Sequence, residues 1–281
     1  MKIIDLHTHT TASDGSFKPA EVVNMAEQSG LSAVAITDHD TTAGVAEALA
    51  AGENLKVEVV PGVELSVDHE RLGSLHILGY WIRPGHPDLA GRLEDIRGGR
   101  GRRNEKILAR LAELGCPLEL AEVEQIAGGE VIGRPHLAQA MLKRGYVKTT
   151  QEAFDSYLAR GKPAYMERER MLPGEAVDRI RRAGGVAVWA HPGLIGLEEA
   201  ELEKEILALV SAGLSGVECH YTEHSPPTTE LLLKLCRRHD LAPTGGSDFH
   251  GAAKPSVKLG ALKVPAELLE GLRARLPAGR P

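Results

Sequence analysis

The chain has 281 residues, and 42% of them are hydrophobic, which is enough for one sizeable core. Its formal net charge is −6, so the composition argues against a general coat for long nucleic acids, which would need a basic surface. A small anionic substrate, or a single end of a nucleic acid, is compatible with this charge.

Short apolar runs alternate with amphipathic stretches along most of the chain. The apolar runs predict strands at 3–4, 33–36, 57–60, 75–78, 186–189 and 216–218, with a last strand ending at 246. Helices are predicted between them, at 19–30, 173–184, 198–212 and 228–239. Alternating strands and helices predict a parallel sheet, and the length of the alternation favours its closure into an α/β barrel.

The stretch from 88 to 161 interrupts this alternation. It lacks convincing strands, and its segment 97–103 contains more glycine than is typical of a helix. Helical patterns follow at 105–114 and 137–145. We therefore predict a small helical insertion domain between two parts of the barrel, with the three segments at 1–87, 88–161 and 162–281.

Side chains that can bind metal ions accompany six successive predicted strands. In an extended segment residues two apart face the same way, so both histidines of His7-Thr8-His9 can reach one ion. The same spacing recurs in Asp248-Phe249-His250. The other candidates are Asp38, His39, Asp40, Glu64, His76 and His191.

Each candidate also has an ordinary structural interpretation. His76 could be a core histidine, Asp38 and Asp40 could cap a helix, Asp14-Gly15 could form a turn, and Glu64 could belong to a buried ion pair. Their occurrence together favours a metal site with several ions, because catalytic groups of such barrels lie at the carboxyl ends of the strands.

The ligand types narrow the choice of metal. Imidazole and carboxylate groups without cysteine suit manganese, iron or zinc. None of the three cysteines lies beside a motif, which argues against a structural zinc site. We predict two to three divalent ions per chain, with Mn²⁺ preferred and Fe²⁺ or Zn²⁺ as alternatives.

The cysteines and the amino-terminal sequence indicate the cellular compartment of the protein. Cys116, Cys219 and Cys236 form no CxxC pair, which favours a reducing compartment. The chain opens with a strand-like segment at 2–6 instead of a signal peptide, and no apolar run is long enough to span a membrane. We therefore expect a cytoplasmic location.

At these motifs the sequence resembles the polymerase and histidinol phosphatase (PHP) family of metal-dependent phosphoesterases. The resemblance covers the chain as far as 80 and again from 162 to 260. The motifs that carry it are Asp5-Leu6-His7-Thr8-His9, Thr37-Asp38-His39-Asp40, Pro61-Gly62-Val63-Glu64, His76, Ala190-His191-Pro192 and Gly246-Ser247-Asp248-Phe249-His250.

The resemblance implies a distorted (β/α)7 barrel with a trinuclear metal centre. Carried over by position, the first metal is held by His7, His9, Glu64 and Asp248. Glu64 bridges to a second metal, which His76 and His191 also hold. The third metal is held by Asp14, His39 and His250.

The predicted insertion narrows the resemblance to one branch of the family. Ile132-Gly133-Arg134-Pro135-His136-Leu137-Ala138 is similar to a motif of that branch, as is the segment from Glu218 to Ser225. The branch includes 3′,5′-nucleotide bisphosphatases and enzymes that trim RNA from its 5′ end. The resemblance implies that Arg134 and His136 hold a substrate phosphate.

The local sequence around Arg134 is compatible with such a role. A residue before proline avoids the α region, so Pro135 predicts an extended or turn-like segment that enters a helix starting near His136. The amino terminus of a helix offers free backbone N–H groups to an anion. A guanidinium beside it can hold phosphate through two parallel hydrogen bonds.

We therefore expect hydrolysis of a 3′,5′-bisphosphonucleoside to a 5′-mononucleotide and phosphate, with 5′-3′ trimming of short RNA as a second activity. Metal ions would activate water and neutralise the phosphoryl oxygens. His191, His224 or a water on the metal could protonate the leaving oxygen. The expected partners are a small nucleotide or a short RNA 5′ end, without a stable nucleic-acid complex and without a membrane.

Three other functions share parts of this pattern. Amidohydrolases also combine a barrel with an early His-x-His and a late Asp, but Glu64 and the pair Asp248 and His250 favour the PHP family. A histidinol-phosphatase-type monoesterase would apply the same chemistry to another ester, and the Arg134 motif argues against it. A non-catalytic PHP module would be expected to have lost ligands, whereas every expected position is filled.

Overall fold

The computed structural model describes residues 2–127, 132–166 and 170–277, without the side chains of Arg97 and Arg100. The chain divides into two compact units. The barrel unit comprises Met1–Arg92 and Arg170–Pro281, and the helical unit comprises Leu93–Glu169. The second unit thus begins and ends a few residues later than the insertion predicted at 88–161.

The strands form one sheet in the barrel unit. They are β1 (Ile3–Asp5), β2 (Leu31–Ile36), β3 (Glu58–His69), β4 (Gly73–Tyr80), β5 (Val186–Trp189), β6 (Gly216–Tyr221), β7 (Ala242–Gly246) and β8 (Val264–Pro265). Their order in the sheet is β7-β6-β5-β4-β3-β2-β1-β8. The predicted strands are confirmed, and β8 is an addition that the sequence did not predict.

Hydrogen bonds between the residues just after β1 and the end of β7 nearly close this sheet into a barrel. The Leu6 N–H donates to the Gly245 carbonyl at 3.1 Å, and the Asp248 N–H donates to the His7 carbonyl at 2.9 Å. At its other end β1 pairs with β8 in antiparallel fashion. These contacts confirm the α/β barrel, and they bring the segment after β7 beside the segment after β1.

The helices are α1 (Pro19–Gln28), α2 (Val45–Gly52), α3 (Pro87–Glu113), α4 (Leu120–Ala127), α5 (Arg134–Lys143), α6 (Thr150–Ala153), α7 (Pro173–Arg182), α8 (Glu199–Ala212), α9 (Pro226–Arg238) and α10 (Glu267–Arg273). All the helices predicted for the barrel are confirmed. Helix α1 shows why: Pro19 occupies its first turn, Glu21 accepts a hydrogen bond from the Lys18 N–H at 2.7 Å, and Gly30 follows its end with a φ of +71°.

The fourth strand departs from the parallel pattern. Strand β4 runs antiparallel to both β3 and β5. Strand β3 extends well beyond the run predicted at 57–60 and continues to His69 as one arm of a hairpin with β4. His76 lies in the first half of β4, opposite Ser66. Because β4 runs in the reverse direction, its first half lies at the end of the barrel where the parallel strands have their carboxyl ends.

The helical unit has its own apolar core, which includes Ile107, Leu111, Leu137 and Met141. Helix α3 runs without a break through the glycine-rich segment, contrary to the expectation from composition. Glycine costs a helix roughly 1 kcal/mol per residue. Leu93 and Ile96 before the segment, and Ile107 and Leu111 after it, are buried and offset this cost.

Helix α5 starts two positions earlier than predicted. Gly133 is its extended N-cap residue, with φ −114° and ψ 169°, so Arg134 already lies in the first turn. Proline is tolerated there because the first N–H groups of a helix have no partner within it. In the part of the chain that the structure describes, no helix combines the length and the apolar character needed to cross a membrane.

Candidate metal centre

The side chains predicted to bind metal ions lie at one rim of the barrel unit. They are carried by β3 and β4, by the segments that follow β1, β2, β5 and β7, and by the loop before α1. These residues are His7, His9, Asp14, His39, Glu64, His76, His191, Asp248 and His250.

The first ligand group consists of His7, His9, Glu64 and Asp248, all of them buried. The Nε2 atom of His7 lies 3.2 Å from Glu64 Oε2 and 3.4 Å from Asp248 Oδ1. The Nε2 atom of His9 lies 3.2 Å and 3.1 Å from the same two oxygens. Two imidazoles and two carboxylates thus converge on one point, in the combination that the family resemblance implied for the first metal.

The second ligand group is built around the same glutamate. Glu64 Oε1 lies 2.8 Å from His76 Nδ1 and 3.2 Å from His191 Nε2. These two nitrogen atoms are themselves 3.3 Å apart. Glu64 Oε2 also lies 3.0 Å from His39 Nδ1, so one carboxylate faces five imidazoles and can bridge neighbouring ions.

The third ligand group consists of His9, Asp14, His39 and His250. Asp14 Oδ1 lies 3.3 Å from His250 Nε2 and 3.7 Å from His9 Nδ1. Asp14 Oδ2 lies 3.8 Å from His39 Nε2. The resemblance did not include His9 here, but the two ring nitrogens of His9 face different groups.

Unpaired polar atoms provide a test of whether ions fit this centre. Among the described residues, the buried atoms without a hydrogen-bond partner include His7 Nε2, His39 Nδ1, Glu64 Oε2 and both ring nitrogens of His9. A buried polar atom left unpaired costs roughly 1–3 kcal/mol. Coordination of divalent cations would satisfy these atoms at once, so the donor set fits a metal centre.

The charged groups of the centre strongly shift one another's pKa values. Burial would raise the pKa of Glu64, but His39, His76 and His7 hold it well below its usual range. Burial would likewise lower the pKa of His9, yet Asp248 and Glu64 raise it to about 10. The pKa of Asp248 is lowered by His7 and His9 against the effect of burial. The carboxylates therefore stay ionised and attract positive charge.

Glu218 supports the candidate ligands from behind, a role that was not predicted from the sequence. Its Oε1 lies 3.0 Å from His7 Nδ1, and its Oε2 accepts a hydrogen bond from the His191 N–H at 2.8 Å. The first contact makes Nδ1 the protonated nitrogen of His7 and leaves Nε2 for a metal. The available signal was a glutamate within an apolar strand, where a fully buried charge needs partners.

Asp38 and Asp40 have structural roles near the centre. Asp38 accepts hydrogen bonds from the Thr10 N–H at 2.7 Å, the Thr10 hydroxyl at 2.8 Å and the Ser13 hydroxyl at 2.7 Å. It thereby fixes the loop that carries Asp14. Asp40 accepts a hydrogen bond from the Ser66 N–H at 2.8 Å.

Tyr221 and Lys254 hold the outer oxygen of Asp248, a role that was predicted for neither of them from the sequence. The Tyr221 hydroxyl donates to Asp248 Oδ2 at 2.9 Å, and Lys254 Nζ lies 3.3 Å from the same atom. Burial and the charge of Asp248 raise the pKa of Tyr221, so it remains a donor. These contacts leave Oδ1 of Asp248 directed at the first ligand group.

The residues predicted for catalysis and phosphate binding lie in both units. In the barrel unit, His224 Nδ1 lies 3.0 Å from the Cys219 carbonyl, and its Nε2 accepts from the Gly193 N–H at 3.2 Å. In the helical unit, the Arg134 Nη1 donates to the Leu158 carbonyl at 3.0 Å, and its guanidinium lies 5.3 Å from the Tyr165 ring centre. His136 Nδ1 accepts from the Gly133 N–H at 3.1 Å.

Comparisons with known proteins agree with this chemistry. A family model described as the PHP domain matches residues 5–157. The chain is 36% identical over 268 residues to a 3′,5′-nucleoside bisphosphate phosphatase of Chromobacterium violaceum, covering 92% of this chain and 91% of that protein. It is 34% identical over 260 residues to the 5′-3′ exoribonuclease Rnm of Escherichia coli, covering 92% and 88%.

A solved structure has the same fold over nearly its full length. It is a crystal structure of a protein from Bifidobacterium adolescentis that is described as a metal-dependent phosphoesterase. The TM-score is 0.81 and the identity 31%, with 99% of this chain and 98% of that chain covered.

Proposed function

The chain belongs to the PHP domain family of metal-dependent phosphoesterases, and we propose that it converts a 3′,5′-bisphosphonucleoside into a 5′-mononucleotide and phosphate. The observation that carries the proposal is the set of three ligand groups joined through Glu64, His9 and His39. Such a centre can hold several cations around one phosphoryl group. The relative from Chromobacterium violaceum, which is named as a 3′,5′-nucleoside bisphosphate phosphatase, supports the choice of substrate.

The chain's own residues would bind and orient the reactants. When bound, divalent ions supply activation of water and neutralise charge on the phosphoryl oxygens. Glu64 would join two ligand groups, while Glu218 holds the ring of His7 and the backbone of His191 in place. Tyr221 and Lys254 fix Asp248 from its outer side.

We propose two to three ions per chain, with Mn²⁺ as the preferred metal and Fe²⁺ or Zn²⁺ as alternatives. The three ligand groups support this number. Their imidazole and carboxylate donors support a transition metal over magnesium or calcium.

Arg134 and His136 are proposed to hold the phosphate that does not react. Both lie in the first turn of α5, where the backbone N–H groups also favour an anion. His191 and His224 are the proposed donors of the proton to the leaving oxygen. His224 would first have to release the Gly193 N–H, which occupies its Nε2.

A second candidate activity is the trimming of short RNA from its 5′ end. It is supported by the similarity to the exoribonuclease of Escherichia coli. Both activities would use the same ligand groups, and they differ in what lies beyond the reacting phosphate. A cytoplasmic location is proposed with them, since Cys116, Cys219 and Cys236 are free thiols in the structure.

A product assay tests the function. Purified protein loaded with Mn²⁺ is incubated with adenosine 3′,5′-bisphosphate, a 5′-monophosphorylated short RNA or L-histidinol phosphate, and released phosphate and mononucleotide are measured. We expect turnover of the bisphosphate to AMP. Much faster hydrolysis of L-histidinol phosphate would overturn the substrate assignment and leave only the family.

A further inference from the structure

A cleft lined by leucines and by imidazoles lies directly beside the candidate metal centre in the barrel unit. Its volume is about 300 Å³, and it lies between the β3–β4 hairpin and the turn that follows β5. Residues at its lining include Leu72, Leu75, His76, Trp189, His191 and Leu194. His76 and His191 also face Glu64, so the cleft and the second ligand group share two side chains.

The cleft exposes apolar as well as polar surface. Leu194 is 51% exposed, although it lies only three residues after His191. Leu75 and Trp189 are buried by the protein and form the inner side of the cleft. A solitary exposed leucine is common on proteins, but several apolar side chains around one cavity indicate a binding surface.

The hairpin side of the cleft is fixed before any ligand binds. Arg71 pairs with Glu201 at 2.9 Å and with Glu205 at 2.6 Å, both on α8. His69 Nε2 lies 3.1 Å from Glu205, while its Nδ1 accepts a hydrogen bond from the Leu72 N–H at 3.2 Å. These contacts hold the tip of the hairpin, and with it Leu72, so that little ordering remains to be done on binding.

We propose that this cleft binds the uncharged base of the nucleotide whose reacting phosphate is held at the metal centre. This inference rests on the proposed function, and in it the leucines recognise the base of the substrate. In the described structure, no Asp, Glu, Lys or Arg side chain is found at the lining of the cleft. The charged phosphates therefore belong at the ligand groups, and the neutral, flat base belongs against Leu72, Leu194 and Ile195.

Steady-state kinetics of one variant test the proposal. Leu194→Ser removes apolar contact from the cleft, and Leu207→Ser on α8, where Leu207 is 42% exposed, is the matched control. The substrates are adenosine 3′,5′-bisphosphate and the base-free deoxyribose 3,5-bisphosphate. We expect Leu194→Ser to raise KM for the nucleotide by roughly tenfold with little change in kcat, and to leave the base-free compound and the control unchanged.

Binding measurements keep the test independent of turnover. AMP and inorganic phosphate are titrated calorimetrically into the Mn²⁺-loaded protein and both variants. Weaker AMP binding in Leu194→Ser, with phosphate binding intact, supports the cleft even if neither substrate is hydrolysed, in which case only the proposed function fails. Equal effects on AMP and phosphate, or no effect on either, would overturn the cleft as the base site, whatever the activity.

Discussion

Glu64 is the residue that the first and the second ligand group share. Its two oxygens face His7, His9, His39, His76 and His191 at 2.8–3.2 Å. A carboxylate in this position neutralises cations on two sides at once. Neutralising it should therefore damage more than one metal site.

Replacement of Glu64 by Gln should lower kcat/KM by at least about 10²–10³-fold, the scale of a lost charge-stabilising group. The shape of the side chain is kept, so the fold should persist, as circular dichroism would show. Metal content measured by elemental analysis should fall as well. Glu203→Gln, which changes a glutamate paired with Arg238 on the outer helices, is the control. Near-normal turnover of Glu64→Gln would contradict the bridging role.

Glu218 can be tested separately because it touches ligands without belonging to a ligand group. Glu218→Gln weakens its hold on His7 and on the His191 backbone, and metal affinity should fall by about 10–100-fold. Excess Mn²⁺ should restore most of the activity. A variant that stays inactive at saturating metal, with its fold intact, would show that Glu218 does more than position these residues.

Arg134 is the residue by which the substrate prediction can be judged. Arg134→Ala should reduce kcat/KM for adenosine 3′,5′-bisphosphate. The loss of transition-state stabilisation should be roughly 2–4 kcal/mol, the scale of a lost charge-assisted contact. A generic aryl phosphate has no second phosphate and should lose much less. Arg134→Lys should recover part of the loss, since lysine cannot form two parallel bonds. Equal damage to both substrates would remove Arg134 from phosphate binding.

At the scale of elements, hydrophobic periodicity and the prolines and glycines at helix ends predicted most of the barrel. Helices α1 and α7 begin at prolines and are followed by glycines, and their positions agreed closely with prediction. The reversal of β4 was not predictable in this way, because an apolar run looks the same in either direction. The glycine-rich part of α3 is helical although its composition disfavours a helix, because burial by tertiary contacts outweighs local propensity.

Barrel closure depends on the close approach of β7 to the segment after β1. A Cβ atom added at Gly246 would lie 2.3 Å from the His7 N and Cβ atoms. Gly246→Ala should therefore push the two segments apart, costing about 1–3 kcal/mol or more and displacing a ligand. Thermal unfolding and metal content would both report the change.

The matched control for this substitution is Gly271→Ala in α10. A Cβ atom added there meets nothing within 4 Å, and alanine suits a helix better. Gly271→Ala should leave the melting temperature unchanged or raise it. If Gly246→Ala were equally harmless, the contact with His7 would not limit the geometry of the centre.

At the scale of the whole molecule, the sequence was most informative about the candidate metal ligands, which the structure brings together in three groups. Pairs such as His7 and His9 stand out because extended spacing aligns them, and barrel topology explains why distant segments meet. The supporting residues were harder to find, since Glu218, Tyr221 and Lys254 act through contacts that depend on β6 and β7 packing side by side. The sharing of His9 between two ligand groups also required three-dimensional geometry.

Removal of the metal ions should destabilise the whole protein. The centre joins β1, β3 and β7, and buried donor atoms such as His7 Nε2 and Glu64 Oε2 have no other hydrogen-bond partner in the described part of the chain. Ligand at a hundredfold excess over its dissociation constant stabilises a fold by about 2.7 kcal/mol, or roughly 5–10 °C in Tm for a protein of this size. Elemental analysis should give two to three equivalents of transition metal. Chelation should lower Tm, Mn²⁺ should restore it, and Glu64→Gln should respond weakly to both. Less than one equivalent of metal in fully active protein, with a Tm indifferent to chelation, would rule out this multinuclear centre.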